Sequence, residues 1–173
     1  MSRLAAWAFL GDVKLFYHIN HAWRRNCLDT IMPWITELGG PVFTILSCLV
    51  FYLAGRGMLA EAAVHAIFAL AFSHGLAFIV KLLFTRPRPY MVLPGCNTLT
   101  GPLKDYSFPS GHTTAAFSLA VSYAMYFPLL TLPLLFLAAA TGISRIYMGV
   151  HFPSDVATGA VLGGGTALLL VLV

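Results

Sequence analysis

The sequence predicts an all-α integral membrane protein, a bundle of about five transmembrane helices with an N-terminal amphipathic helix lying in the membrane interface. Three observations predict it. Of 173 residues, 59% are hydrophobic and only 9% are charged, where soluble domains carry about 25% charged residues. Long apolar runs recur from residue 41 onward. The ionisable residues between those runs gather in a few short stretches instead of scattering. The chain reads as one domain, with residues 1–40 as an interfacial segment and 41–173 as a membrane-embedded core.

Residues 1–25 mix Leu4, Trp7, Leu10, Leu15, Phe16 and Ile19 with Arg3, Asp12, Lys14, His18, His21, Arg24 and Arg25. This stretch is too charged for a span of about 20 residues. It is expected to lie in the interface with Trp7, Tyr17 and Trp23 at headgroup level; a sixth span is the alternative. Asp12 and Lys14 also interrupt any signal-peptide pattern. Residues 29–38 form a short helical piece that stops at Gly39-Gly40-Pro41.

The first span is expected over 41–54, followed by the polar turn Gly55-Arg56-Gly57. The second runs over 58–84. Residues 85–108 form the one long loop, rich in proline and glycine, and loops of that length usually carry function. The third span is expected over 110–127, the fourth over 129–147 with Pro133 available to kink it, and the fifth over 153–173. Gly159 and Gly163 form a G-x-x-x-G in the fifth span, read as close helix packing. Tracing the crossings puts Lys81, the long loop, His112, Arg145 and His151 on one membrane face.

The polar stretches carry the chemistry. Ser144 to Asp155 holds a hydroxyl, a guanidinium, an imidazole and a carboxylate between two apolar runs. Ionisable groups in such a place are expensive and usually functional. If Pro153 opens a helix, His151 and Asp155 lie about one turn apart. The carboxylate can then hold one imidazole nitrogen and leave the other free as a nucleophile. Arg145 offers a planar fork suited to phosphate or carboxylate. Ser110 reads as a helix N-cap, with Gly111 and His112 in a first turn whose N–H groups favour an anion. Lys81, Arg86 and Arg88 precede the long loop.

The net charge of +4 contains no basic run longer than Arg24-Arg25, so nucleic-acid binding finds no support. Cys27, Cys48 and Cys96 lack metal spacing. Cys48 reads as a core residue, and a Cys27–Cys96 pairing is the minor reading beside free thiols. Glu61 and His65 lie one turn apart without a third metal ligand, and read as a hydrogen-bonded pair. His74, two turns before Lys81, reads as a buried, hydrogen-bonded histidine under the site.

Together the stretches spell K-x6-R-P from Lys81 to Pro89, P-S-G-H from Pro109 to His112, and S-R-x5-H-x3-D from Ser144 to Asp155. In these motifs the chain resembles the type 2 phosphatidic acid phosphatase superfamily, which includes vanadium haloperoxidases and bacterial membrane lipid phosphatases. The resemblance implies that His151 attacks phosphorus and carries a phosphohistidine, with Asp155 holding its tautomer. It implies that His112 is the general acid, and that Lys81, Arg88, Arg145, Ser110 and Gly111 hold the phosphate. Arg86, Lys104 and Tyr106 are candidate headgroup contacts, with an interfacial anchor as the other reading of Arg86 and a solvated loop as the preferred reading of Lys104, Asp105 and Tyr106. No metal and no cofactor are expected, and the partner is a membrane lipid phosphate in the bilayer. Candidates are lipid A 1-phosphate, undecaprenyl pyrophosphate and phosphatidylglycerol phosphate. The alternatives are a lipid-to-lipid phosphotransferase and a non-catalytic scaffold or transporter. Arg3, Lys14, Arg24 and Arg25 would fall on the site face, which by charge alone points to the cytoplasm. The resemblance implies a bacterial inner-membrane enzyme with its site facing outward, and the expectation follows it.

Overall fold

The structure, a computed structural model, describes the backbone of residues 3–171 and the side chains of residues 10–171. The described residues form helices and connecting turns. The helices are α1 (Arg3–Tyr17), α2 (Asn26–Glu37), α3 (Pro41–Ala54), α4 (Met58–Leu83), the short α5 (Pro89–Val92), α6 (Gly111–Tyr126), α7 (Thr131–Tyr147) and α8 (Pro153–Leu169). A π-helical turn, His18–Ala22, continues α1, and a 3₁₀ turn, Pro128–Leu130, leads into α7. The expected boundaries in the core are reproduced to within a few residues. Helix α5, inside the long loop, is an addition.

Two segments, Met58–Leu83 and Pro128–Tyr147, are helical, long and apolar enough to cross a membrane. Asn26–Glu37 and Pro41–Ala54 would add a third span if taken as one helix bent by 49°. The bend falls at Gly39 and Gly40, where the chain is pinned. A β-carbon on Gly39 would come within 2.3 Å of the His112 carbonyl oxygen.

The bundle is inside-out relative to a water-soluble one. Helix α6 is central and packs against α4, α7 and α8. Its buried face is small and hydroxylated: Thr113, Thr114, Ala115, Ser118 and Ser122. Helix α4 buries Ala62, Ala63, Ala66, Ala69, Ser73 and Ala77, while Phe68, Phe72, Phe78, Ile79 and Leu82 face outward. Large apolar side chains outside and small ones inside suit a lipid surround, where helices gain by close backbone approach. Gly163 shows this most directly. A β-carbon there would meet the Thr114 carbonyl oxygen at 2.1 Å, whereas one on Gly165 would meet nothing within 4 Å.

The N-terminal segment departs from the expectation. Phe16 and Ile19 are buried in a core with Tyr147, Met148, Val150 and Phe152. Tyr17 donates to the Pro94 carbonyl at 2.9 Å. Asn20, fully buried in the π-turn, bonds Tyr147 O at 2.8 Å and both the N–H and the C=O of Asn97. These bonds dock the end of α1 and its π-turn onto the polar end of the bundle, while Leu10 and Leu15 of α1 stay exposed. Trp23 remains partly exposed; the side chains of Leu4 and Trp7 lie outside the described residues.

Replacing Gly163 by Ala should therefore destabilise the protein by about 1–3 kcal/mol through overpacking. Gly165→Ala should be neutral or slightly stabilising, because alanine is the better helix former. Thermal unfolding of the two variants in detergent checks the contrast.

Candidate functional site

The site begins with the end of α7. Gly149 takes φ +76, a left-handed conformation open to glycine. Its N–H bonds Ile146 O at 3.0 Å and that of Val150 bonds Arg145 O at 3.2 Å, a Schellman closure. The His151 N–H also reaches Arg145 O, at 3.3 Å. Helix termination therefore folds His151 back beneath Arg145, which accounts for the five-residue gap between them. Pro153 occupies the first turn of α8. Asp155 then accepts the Phe152 N–H through Oδ2 at 2.8 Å, the reciprocal half of a capping box. Two helix-end rules thus bring His151 and Asp155 together.

Asp155 Oδ2 lies 3.6 Å from His151 Nδ1, longer than a hydrogen bond. Arg88 settles the tautomer. Its Nη1 donates to Val150 O at 2.9 Å and approaches His151 Nε2 at 3.2 Å. A guanidinium only donates, so Nε2 carries the lone pair and Nδ1 the proton, facing Asp155.

Arg88 is 2% exposed. Its Nη2 bonds Asp105 Oδ1 at 2.6 Å, and its Nε bonds the Asp105 carbonyl at 3.0 Å. Lys81 pairs with the other Asp105 oxygen. Burial works against ionising Asp105, but the two cations overcome it and hold its carboxyl below the usual range. Arg145, 6% exposed, gives one Nη to Thr36 Oγ1 at 3.0 Å, and its buried Nε has no partner.

Ser110 caps α6 as expected. Its Oγ accepts from Thr113 N at 3.4 Å and Thr113 Oγ1 at 2.9 Å. Gly111 and His112 open onto a cavity of about 500 Å³ that Lys81, Asp105, Tyr106 and His74 also line. Arg145 and His151 are among the electrostatic neighbours of His112. The structure thus gathers Lys81, Arg88, Ser110, Gly111, His112, Arg145, His151 and Asp155 at one end of the bundle.

Several readings need correction. Arg86 turns its guanidinium inward. It bonds Asp12 Oδ2 at 2.6 Å, and Ser154 Oγ and Asp155 Oδ1 at 2.7 Å each, and sits 3.9 Å from the Phe152 ring centre. Lys104 is exposed and away from the cavity lining, unlike Tyr106. Asp105, read as a loop acid, joins two of the site's cations. His74 bonds its own helix at Leu70 O, at 3.2 Å, but is exposed to the cavity and not buried. His65 packs on the Tyr126 ring, with neither ring nitrogen hydrogen-bonded, so it forms no pair with Glu61. Cys27, Cys48 and Cys96 are free thiols, with Cys48 buried as expected. Sequence reasoning missed Asp12, Asn20, Thr36 and Ser107, whose partners lie far along the chain.

Burial pushes the His151 imidazole down to about 4, reinforced by Arg145 and Arg88 and opposed by Asp155. The arrangement therefore gathers a neutral imidazole, three cations, a helix N-terminus and a second histidine at one end of the bundle, with Lys81, Gly111 and His112 lining the cavity and Arg88, Arg145 and His151 buried. Such a set suits an anion undergoing substitution.

Comparison with known proteins agrees. The profile of the PAP2 superfamily matches residues 62–173. The chain is 35% identical over 160 residues to the bacitracin transport permease protein BcrC of Bacillus licheniformis, covering 92% of this chain and 78% of that one. It is 34% identical over 148 residues to the undecaprenyl-diphosphatase BcrC of Bacillus subtilis, covering 83% and 72%. Among solved structures it matches Aquifex aeolicus LpxE with a TM-score of 0.82 and 31% identity, over 93% of this chain and 94% of that chain.

The His151 ring should stay neutral as pH falls from 7 and gain its proton only near pH 4. Its lone pair is thus retained above that value and lost below it. A titration of ring-labelled histidines by NMR, with the His151 signal assigned by its absence in His151→Asn, measures this. A midpoint near the ordinary histidine value would contradict the burial described.

Proposed function

The chain belongs to the PAP2 superfamily of phosphatases, and from that premise we propose that it hydrolyses a phosphomonoester or pyrophosphate on a membrane lipid headgroup, without a metal ion and through a phosphohistidine. One observation carries the reading: His151 Nε2 bears a lone pair beside Arg88 and Arg145, at the polar end of an otherwise apolar bundle. A lipid headgroup sits at that level while its chains stay among the outward-facing apolar residues.

In this reading Nε2 attacks phosphorus and the bond from phosphorus to the leaving lipid oxygen breaks. His112 protonates that oxygen. Water then attacks the phosphohistidine, with His112 taking its proton, and inorganic phosphate leaves. Lys81, Arg88 and Arg145 stabilise the phosphoryl oxygens, where charge is greatest in the transition state. Ser110 and Gly111 hold the first turn of α6 against the same oxygens. Asp155 stabilises the imidazolium formed as Nε2 becomes bonded. The relative named as an undecaprenyl-diphosphatase favours a polyprenyl pyrophosphate over lipid A 1-phosphate and phosphatidylglycerol phosphate. Turnover of purified protein against all three tests the reading. Failure on every lipid phosphate would overturn it.

The proposal includes five crossings, made by α3, α4, α6, α7 and α8 within a single domain of the bacterial inner membrane, with the site outside. A reporter at the Gly55–Gly57 turn should then report cytoplasm and one within residues 95–104 the outer face. The reverse pattern would turn the site inward, and both reporters on one side would overturn the five-crossing topology.

The two histidines should separate by leaving group. His151→Ala removes the nucleophile and should fail on every substrate. His112→Ala removes a proton donor that a nitrophenolate, unlike a lipid alkoxide, scarcely needs. With a nitrophenyl phosphate that wild type turns over, the His112 variant should release a burst of about one product per enzyme, then slow, leaving acid-labile phosphate on the protein. No burst in His112→Ala, or a burst in His151→Ala, would reverse or remove the assignment.

A further inference from the structure

Asp12 lies on α1, far in sequence from every motif, yet its side chain is only 8% exposed. Its Oδ1 accepts the Ser154 N–H at 2.8 Å, so it caps the first turn of α8 from another helix. Its Oδ2 accepts from Ser154 Oγ at 2.6 Å and from Arg86 Nη2 at 2.6 Å. The other arm of Arg86 donates to Asp155 Oδ1 at 2.7 Å. One guanidinium therefore bridges two carboxylates, and one of them stands behind His151.

A cap of α8 would need only the bond to Ser154. The bridge does something more. Asp155 is fully buried, and Arg86 takes only its Oδ1. Oδ2 is left for Ser107 Oγ, the Phe152 N–H and the face of His151 Nδ1. If Arg86 belonged to Asp155 alone, its full charge would draw down the carboxylate's hold on the imidazole. Asp12 shares that charge.

We propose that Asp12 and Arg86 are positioning residues for phosphoryl transfer: α1 holds Arg86 through Asp12, and Arg86 fixes the Asp155 carboxylate and sets how strongly it supports His151. The proposal rests on the reading of His151 as nucleophile. The other charges that bear on His151 are Arg88 from the loop before α5 and Arg145 from α7. His112 on α6 interacts with His151 and lines the cavity with Lys81 on α4 and Asp105 in the long loop, and Glu37 on α2 acts on Arg145. The variants below leave all of these in place.

The test uses the sign of a pH shift. In Asp12→Asn, Arg86 pairs with Asp155 alone, the imidazolium loses support, and the acid limb of kcat/KM should move to lower pH. In Arg86→Ala, two carboxylates are left behind His151 without their cation, and the limb should move to higher pH. Each shift should reach about half a unit or more, as expected for one charge acting at second hand. The kcat of each should fall about tenfold, the usual scale for a partner one bond removed from the reacting group. The double variant should return the limb toward wild type. Arg86→Lys keeps the charge but not the fork, so its limb should stay in place while kcat falls. NMR titration of His151 in the same variants should show the same opposed shifts without substrate. It therefore still decides the point if wild type hydrolyses no lipid phosphate, a result that would remove the proposed function instead. Thermal unfolding shows which variants retain the fold, and the Arg86 pair suffices if Asp12→Asn does not. Limbs and titrations that coincide with wild type, or shift in one direction for both single variants, would reduce the network to a helix cap and overturn the proposal.

Discussion

Asp155 is a carboxylate with no solvent exposure inside a bundle made mostly of alkyl groups. An isolated charge there would be strongly unfavourable. It is kept by donors from several segments: Arg86 ahead of α5, Ser107 at the end of the long loop, and the Phe152 N–H at the start of α8. The Asp155 carbonyl in turn accepts the Ser110 N–H at the start of α6, at 3.1 Å. Through Arg86 the same requirement reaches Asp12 on α1. One buried charge thus holds together the N-terminal helix, both ends of the long loop and two helix starts. Two of those segments, the long loop and the start of α6, also line the cavity.

The rest of the bundle supplies close approach. Gly142, Gly159 and Gly163 stand where a β-carbon would fall within 3 Å of a neighbour. The Thr114 hydroxyl bonds a carbonyl at the start of its own helix, and that of Thr141 bonds Leu137 O of its own helix and also reaches Ile35 O of α2 at 3.4 Å. This packing leaves large side chains for the outer surface and lets three helix ends meet around a small cavity. The polar end and the apolar body are consequences of the same sorting, since hydroxyls along the helices bond their own backbone while the buried charges gather in the network around Asp155 and Arg88.

Much of this was legible in the sequence where the governing rule is local. The Ser110 cap, Pro153 at the start of α8 and the one-turn spacing of His151 and Asp155 follow from chain geometry over a few residues. The helices followed from apolar runs and their breakers. The failures share a different cause. Asp12 with Ser154, Asn20 with Asn97 and Thr36 with Arg145 are pairs over 70 residues apart, and neither partner carries a local mark of the other. Arg86 was misread because an arginine beside a membrane motif looks the same whether its guanidinium turns outward or inward. The N-terminal helix was misread for a related reason: an amphipathic pattern says that one face is apolar, and not whether lipid or protein covers it. Even Gly149 shows the limit. Its residue type is suggestive, but only the closed α7 terminus shows that it folds His151 under Arg145.

Charge explains why the cavity is suited to an anion. Lys81 and Asp105 line it, and Asp105 is shared by Lys81 and the buried Arg88; Arg86, outside the lining, is shared by Asp12 and Asp155. Arg145 differs from these cations. Among the described residues it forms no ion pair, its named partner is a neutral threonine hydroxyl, and its Nε is buried with its hydrogen unspent. Burying a guanidinium in that condition is unfavourable, and an anion that reached it would relieve it. A phosphate would also compete with Asp105 for Lys81 and Arg88, because a carboxylate bridging two cations offers the oxygens that a phosphoryl group would offer. The half-exposed Asp105 can give way, whereas Asp155, tied on both oxygens, cannot. Of the two acids, Asp105 is half exposed and shared between two cations, whereas Asp155 is buried and held on both oxygens beside the histidine.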